Sequence, residues 1–254
     1  MLLRTTALRG LALAAGTLSV VRVPVREPVT PADLRASTAW YPLVGLALAA
    51  LPTAALLLPL PGLPRAALAL AVWVAITGAL HLDGWADCCD AAFAPPRATA
   101  DETLERRLAI LKDPHMGTFG VAGIVILLLA KFVALAEVGP AAPLVAIPLA
   151  RWVMVYALRS YPAARPDGLA ATIGRAVPLS LATAAAALVL VPLTFLSPVP
   201  VRIAVAVSLG ILAGLMAIEL LAARFGGITG DVLGAAGEAA ELAVLWAFLP
   251  WGSA

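Results

Sequence analysis

Long apolar stretches recur along almost the whole chain, separated by shorter segments where Arg, Asp, Glu, Pro and Gly gather. A membrane-crossing helix needs about 20 mostly apolar residues. Runs of that order fall at roughly 5–21, 42–60, 66–86, 118–138, 142–158, 178–197, 203–221 and 232–251. The pattern predicts an all-α, polytopic membrane bundle of about seven or eight transmembrane helices, folded as one integral membrane domain over residues 1–254. The 178–197 run is the clearest, inside an uncharged stretch from Arg175 to Arg202. The first run contains Arg9 and shares the basic-then-apolar order of a secretory leader; it is taken as a retained, tilted or interfacial first helix. The last opens with Asp231, Glu238 and Glu241, which sets it apart from an ordinary lipid-facing span.

Composition agrees with the periodicity. Of 254 residues, 62% are hydrophobic and 13% charged, and the mean hydropathy is +0.99. A soluble domain carries roughly 25% charged residues, so lipid must cover part of this surface. A net charge of +2 gives no basis for nucleic acid as a partner. Cys88 and Cys89 are adjacent, too close for an ordinary bridge and without a second pair for zinc. Oligomeric state is left open.

The connections divide unequally. Those at 22–41, 87–117, 159–177 and 222–231 are long and carry Arg22, Arg26, Arg35, Arg97, Arg106, Arg107, Lys112, Arg159, Arg165, Arg175 and Arg224. Those near 61–65, 139–141 and 198–202 are short and hold only Arg65 and Arg202. The positive-inside rule puts the long connections of a multi-pass protein in the cytoplasm. Two of them contain helix starts: Thr30-Pro31-Ala32-Asp33, and Thr99 with Glu102. The second opens a short amphipathic helix, with Leu104, Leu108 and Leu111 on one face, ending by Pro114.

The chemistry is expected on this side. In His81-Leu82-Asp83-Gly84-Trp85-Ala86-Asp87-Cys88-Cys89-Asp90 three carboxylates stand at i, i+4 and i+7, hence on one helical stripe. Such crowding calls for a divalent cation, and oxygen ligands select Mg²⁺ or Mn²⁺ over zinc. His81 falls about 200° from Asp83 on a regular helix, off that stripe; it is a candidate base or a packing residue. Gly226-Gly227-Ile228-Thr229-Gly230-Asp231 leads into the last apolar run, with Glu238 on the face of Asp231. A glycine-rich loop before a helix offers backbone N–H groups to phosphate, here through Gly227 and Thr229. Arg106, Arg107, Lys112, Arg159, Arg165 and Arg175 add cations suited to a pyrophosphate, and His115, after Pro114, is a candidate phosphate contact or a plain loop residue. Arg151, in mid-span, should face the interior and pair with an acid, and is counted with the substrate-binding candidates, whereas Lys131 is expected to snorkel from the far end of its helix.

Five blocks, in order, resemble the cobalamin synthase (adenosylcobinamide-GDP ribazoletransferase) family. They are Val21-Arg22-Val23-Pro24-Val25, Tyr41-Pro42-Leu43-Val44-Gly45, the His81–Ala91 block, Ile110-Leu111-Lys112-Asp113-Pro114-His115-Met116-Gly117-Thr118-Phe119-Gly120-Val121, and Gly226–Asp231 with Gly234, Ala235 and Glu238. Departures from the usual pattern are Trp85, Cys88-Cys89 and His115; none removes a carboxylate. The resemblance implies a transferase of the bacterial plasma (inner) membrane, its site facing the cytoplasm, that joins α-ribazole, or its phosphate, to adenosylcobinamide-GDP and expels GMP. It further implies Mg²⁺ on Asp83, Asp87 and Asp90, charge stabilisation by Lys112, and Asp231 or Glu238 as a further ligand or base. A CDP-alcohol phosphotransferase is the nearest competing enzyme, but in Asp83-Gly84-Trp85-Ala86 the Ala comes one residue early. A secondary transporter lined by Arg151, Lys131 and the acids is the reading from another class.

Overall fold

A computed structural model describes residues 6–25 and 27–250, all of them in helices and connections apart from one isolated bridge between Ala163 and Ile228. The helices are α1 (Thr6–Leu18), α2 (Pro31–Ser37), α3 (Tyr41–Leu56), α4 (Gly62–Thr77), α5 (Leu80–Phe93) and α6 (Ala100–Ile110). They continue with α7 (Thr118–Glu137), α8 (Ala141–Ser160), α9 (Leu169–Ile173), α10 (Leu179–Phe195), α11 (Pro200–Phe225) and α12 (Gly230–Ala247). Both expected helix starts are present. Thr30 and Asp33 form a complete capping box on α2, and the Thr99 hydroxyl accepts from the Glu102 N–H on α6.

Four described helical segments are long and apolar enough to cross a membrane: Pro31–Leu56, which joins α2 to α3, and α7, α8 and α11. The bent pair α4–α5 would make five. That is fewer than the seven or eight expected, and each difference has a physical cause. The apolar helices α1 and α10 are shorter; at 17 residues α10 is about 25 Å long against a hydrocarbon core of about 30 Å. Helix α12 carries Asp231, Glu238 and Glu241, and partner side chains rather than lipid surround the latter two.

The expected span 66–86 is corrected outright. It breaks after Thr77, and α4 and α5 meet at 88°. Gly78 and Ala79 both take left-handed backbone, with φ of 62° and 56°. A Cβ on Gly78 would also stand 2.7 Å from a Val20 methyl, so the turn needs glycine for space as well as for φ. Hydropathy stays apolar through the turn and cannot register it. The carboxylates therefore stand on a separate helix that turns away from α4.

Helices α8 and α12 form the centre. In α8, 78% of the best apolar window is buried, against 28% in α7 and α11, whose outer faces present Ile126, Leu129, Leu212 and Leu220. Helix α12 packs on α11, α5 and α8. The approach to α5 is backbone to backbone: a Cβ on Gly84 would meet the Asp231 carbonyl at 2.8 Å, and one on Gly234 would meet His81 Cα at 3.2 Å. Small residues permit such contact where lipid supplies no hydrophobic drive between helices.

The four long connections meet one another at one end of the bundle, as their charge pattern suggested. Arg35 Nε donates to the Ile173 carbonyl at 2.8 Å, and Arg224 Nη1 to the Ala92 carbonyl at 2.6 Å. Lys112 pairs with Asp167 at 2.7 Å. The segment 162–164 runs beside Ile228, with Ile228 N–H on the Pro162 carbonyl and Ala164 N–H on the Ile228 carbonyl, both 2.9 Å. The amphipathic helix α6 lies over the junction of α5 and α11, with Leu104 beside Gly226 and Arg107 donating to the Arg224 carbonyl at 3.3 Å.

Candidate functional site

At this end of the bundle the N-terminal turn of α12 faces the first turns of α5. A cavity of about 240 Å³ lies between them, lined by His81 and Asp83 from α5, Gly230, Asp231 and Gly234 from α12, and Tyr41, Thr17, Met154 and Leu169 from neighbouring elements. Asp83 is exposed, while Asp87 and Asp231 are half-buried. Asp87 lies within electrostatic reach of Asp83, Asp231 and Asp90, so negative charge from two helices accumulates here. Asp231 is partly held: it accepts from the Thr229 hydroxyl at 3.0 Å and stands 3.9 Å from Arg165 Nη2. His81, expected off the carboxylate stripe, is buried and lines the same cavity as Asp83, because the cavity wraps round the start of α5.

Asp90 has different surroundings from the other two acids on its stripe. One of its oxygens accepts from Gly117 N–H at 2.7 Å and the other from Gly120 N–H at 2.8 Å. Those amides open α7 and have no acceptor within the helix, so Asp90 caps α7. Among the described residues no three His, Cys, Asp or Glu side chains stand ready to hold a metal ion, so Asp83, Asp87 and Asp90 are not a preformed cage. The donor type still fits Mg²⁺. That ion keeps several waters and is held by one or two carboxylates plus substrate phosphates, which Asp83 and Asp87, with Asp231 opposite, can supply.

The glycine-rich loop is braced internally. Gly226 and Gly227 terminate α11 in left-handed and extended positive-φ backbone, and the Gly227 N–H bonds to the Ala222 carbonyl at 2.9 Å. A Cβ on Gly227 would lie 2.5 Å from the Pro162 carbonyl, so its glycine serves the bridge to segment 162–164. Thr229, buried, caps α12 by accepting from Val232 N–H at 3.2 Å.

The expected cations are dispersed. Lys112 is exposed and paired with Asp167, which sequence reasoning missed because a lone acid in a basic loop carries no signal; this bond holds the Asp167 carboxyl below the usual range. His115 is exposed and hydrogen-bonded to Asp113 at 2.7 Å. Arg106 and Arg107 are half-buried on α6, and Arg159 is exposed in the last turn of α8.

A second ionic group lies deeper along α12. Arg151 is fully buried and donates to Glu241 at 3.1 Å, as its mid-span position required. Lys131 does not snorkel. It is 2% exposed, contacts both Glu238 and Glu241 (2.6 Å to the latter), and sits 4.7 Å from the centre of the Trp73 ring. Sequence depth places a lysine along a helix, but only the neighbours decide which face is inside. Glu238, expected beside Asp231, is thus brought to Lys131 and not to the carboxylate cavity.

The cobalamin-5-phosphate synthase family model matches residues 10–249. An adenosylcobinamide-GDP ribazoletransferase of Deinococcus radiodurans is 37% identical over 252 residues, covering 96% of this chain and 86% of the relative. Enzymes of the same name from Stutzerimonas stutzeri and Pseudomonas aeruginosa are 39% and 37% identical, covering 88% and 94% of this chain and 91% and 97% of theirs. No solved structure matches. With the match running from α1 to the last turn of the bundle, the chain belongs to the cobalamin-5-phosphate synthase family.

Proposed function

We propose that this chain is a membrane adenosylcobinamide-GDP ribazoletransferase whose reacting centre is the cavity between α5 and α12. The observation that carries the reading is the meeting of Asp83 and Asp231, far apart in sequence, around one cavity in a chain of this family. A hydroxyl of α-ribazole, or of its phosphate, attacks the phosphorus bonded to the corrinoid in adenosylcobinamide-GDP. A new O–P bond forms, the bridging P–O bond breaks, and GMP leaves with the electron pair. The products are adenosylcobalamin, or its phosphate, and GMP.

Asp83 and Asp87 would hold Mg²⁺ with the substrate pyrophosphate, and the ion would supply charge neutralisation at the reacting phosphorus. Asp231 takes the hydroxyl proton, since it lines the cavity while Glu238 is committed to Lys131. Lys112, held in the same connection region by Asp167, offsets charge on the departing phosphate. The basic side of the chain supports a cytoplasmic site in a bacterial inner membrane. The test is GMP release by detergent-purified protein given adenosylcobinamide-GDP and α-ribazole phosphate. Metal-dependent release coupled to a cobalamin product supports the reading; folded protein that yields neither product overturns it.

A further inference from the structure

Beside the carboxylate cavity lies another of about 430 Å³, bounded by the end of α8, segment 161–166, α9 and residues 174–175. The same two chain segments contribute to both, through different residues. Leu169 lines the first while Ala170 and Ala171 line the second, and Asp231 lines the first while Ile228 lines the second. Their linings are opposite in charge. Arg165 and Arg175 line the second cavity, and no carboxylate does. Arg175 is oriented by contacts of 3.3 and 3.4 Å from Nε and Nη2 to the Arg159 and Ser160 carbonyls at the end of α8. Arg165 Nη1 is buried without a hydrogen-bond partner among the described residues, while its Nη2 faces Asp231 in the neighbouring cavity. A guanidinium N–H buried without an acceptor is costly, and a phosphate oxygen removes that cost.

We infer that the Arg165–Arg175 cavity is a phosphate subsite, and that its occupant is the 5′-phosphate of the acceptor nucleotide. The inference rests on the transferase reading above. In a ribose 5-phosphate the phosphate and the ring hydroxyls lie at opposite ends of the sugar. With the phosphate on Arg165 and Arg175, an acceptor lying across the α9 wall directs its hydroxyl toward Asp83 and Asp231. Arg165, adjoining both chambers, fixes that register. The subsite makes the chain selective for the phosphorylated acceptor over the free nucleoside.

The test is calorimetric titration of the full chain in detergent with α-ribazole 5′-phosphate, α-ribazole and GMP, using wild type, Arg165→Gln, Arg165→Lys and Arg175→Gln of matched thermal stability. Wild type should bind the phosphorylated acceptor about tenfold or more tightly than α-ribazole, the scale of one or two charge-assisted hydrogen bonds. Arg165→Gln should abolish that preference while α-ribazole affinity is kept, and Arg165→Lys should restore part of it. If the variants instead weaken GMP alone, the subsite binds the donor's phosphate, and the acceptor assignment is overturned. Equal affinities across all four proteins overturn the subsite itself. Failure of the transferase reading would show separately, as absence of GMP release by wild type in the turnover assay.

Discussion

Helix α12 carries two groups of acids that behave as opposites. At its start, Asp231 faces Asp83 and Asp87, with Arg165 at 3.9 Å as the one ion-pair partner among the described residues. About two and three turns on, Glu238 and Glu241 meet Lys131 and Arg151, two anions against two cations, sealed from solvent. The inner group is electrically closed and links α7, α8 and α12. The outer group has excess negative charge beside an accessible cavity, which a cation and a bound pyrophosphate would complete. Charge balance, more than acid content, separates the scaffold from the proposed reacting centre.

The sharpest way to break the comparison is substitution in each group. Asp83→Asn should lower GMP release on the order of 100- to 1000-fold with little change in thermal stability, because Asp83 is exposed and, among the described residues, has no cationic partner. Paramagnetic titration should show the same variant losing Mn²⁺ affinity, a readout independent of turnover. Glu241→Gln should do the reverse. It leaves Lys131 and Arg151 buried with one anion, and removing one partner of a buried pair costs about 3–5 kcal/mol. Denaturation should report that loss, while activity per folded molecule stays within about threefold. Asp90→Asn is intermediate in kind, since Asp90 caps α7; a loss of about 1 kcal/mol in stability is expected. The smallest effect belongs to Asp167→Asn, which releases the exposed Lys112 and should leave stability unchanged to within about 0.5 kcal/mol.

Much of this was legible in the sequence. Helices α7 and α8 begin and end within two residues of the apolar runs, and Thr30 and Thr99 cap as their spacing required. The motifs containing Asp83 and Asp231 pointed to one site, and the fold brings them to one cavity. What the sequence hid was direction. An apolar run continues through Gly78-Ala79 while the backbone turns by 88°, so the depth of Asp83 could not be counted along a single span. Helical spacing put Asp90 with Asp83 and Asp87, yet its hydrogen bonds depend on where α7 begins in space. The same spacing put Glu238 with Asp231, and Lys131, on a different helix, claims it instead.

The most direct measurement is GMP release against Mg²⁺ concentration for wild type, Asp83→Asn and Glu241→Gln, normalised to folded protein. The account predicts saturable Mg²⁺ dependence in wild type and Glu241→Gln alike, with Asp83→Asn nearly inactive or needing far more metal. Full activity of Asp83→Asn at the wild-type Mg²⁺ requirement would contradict it.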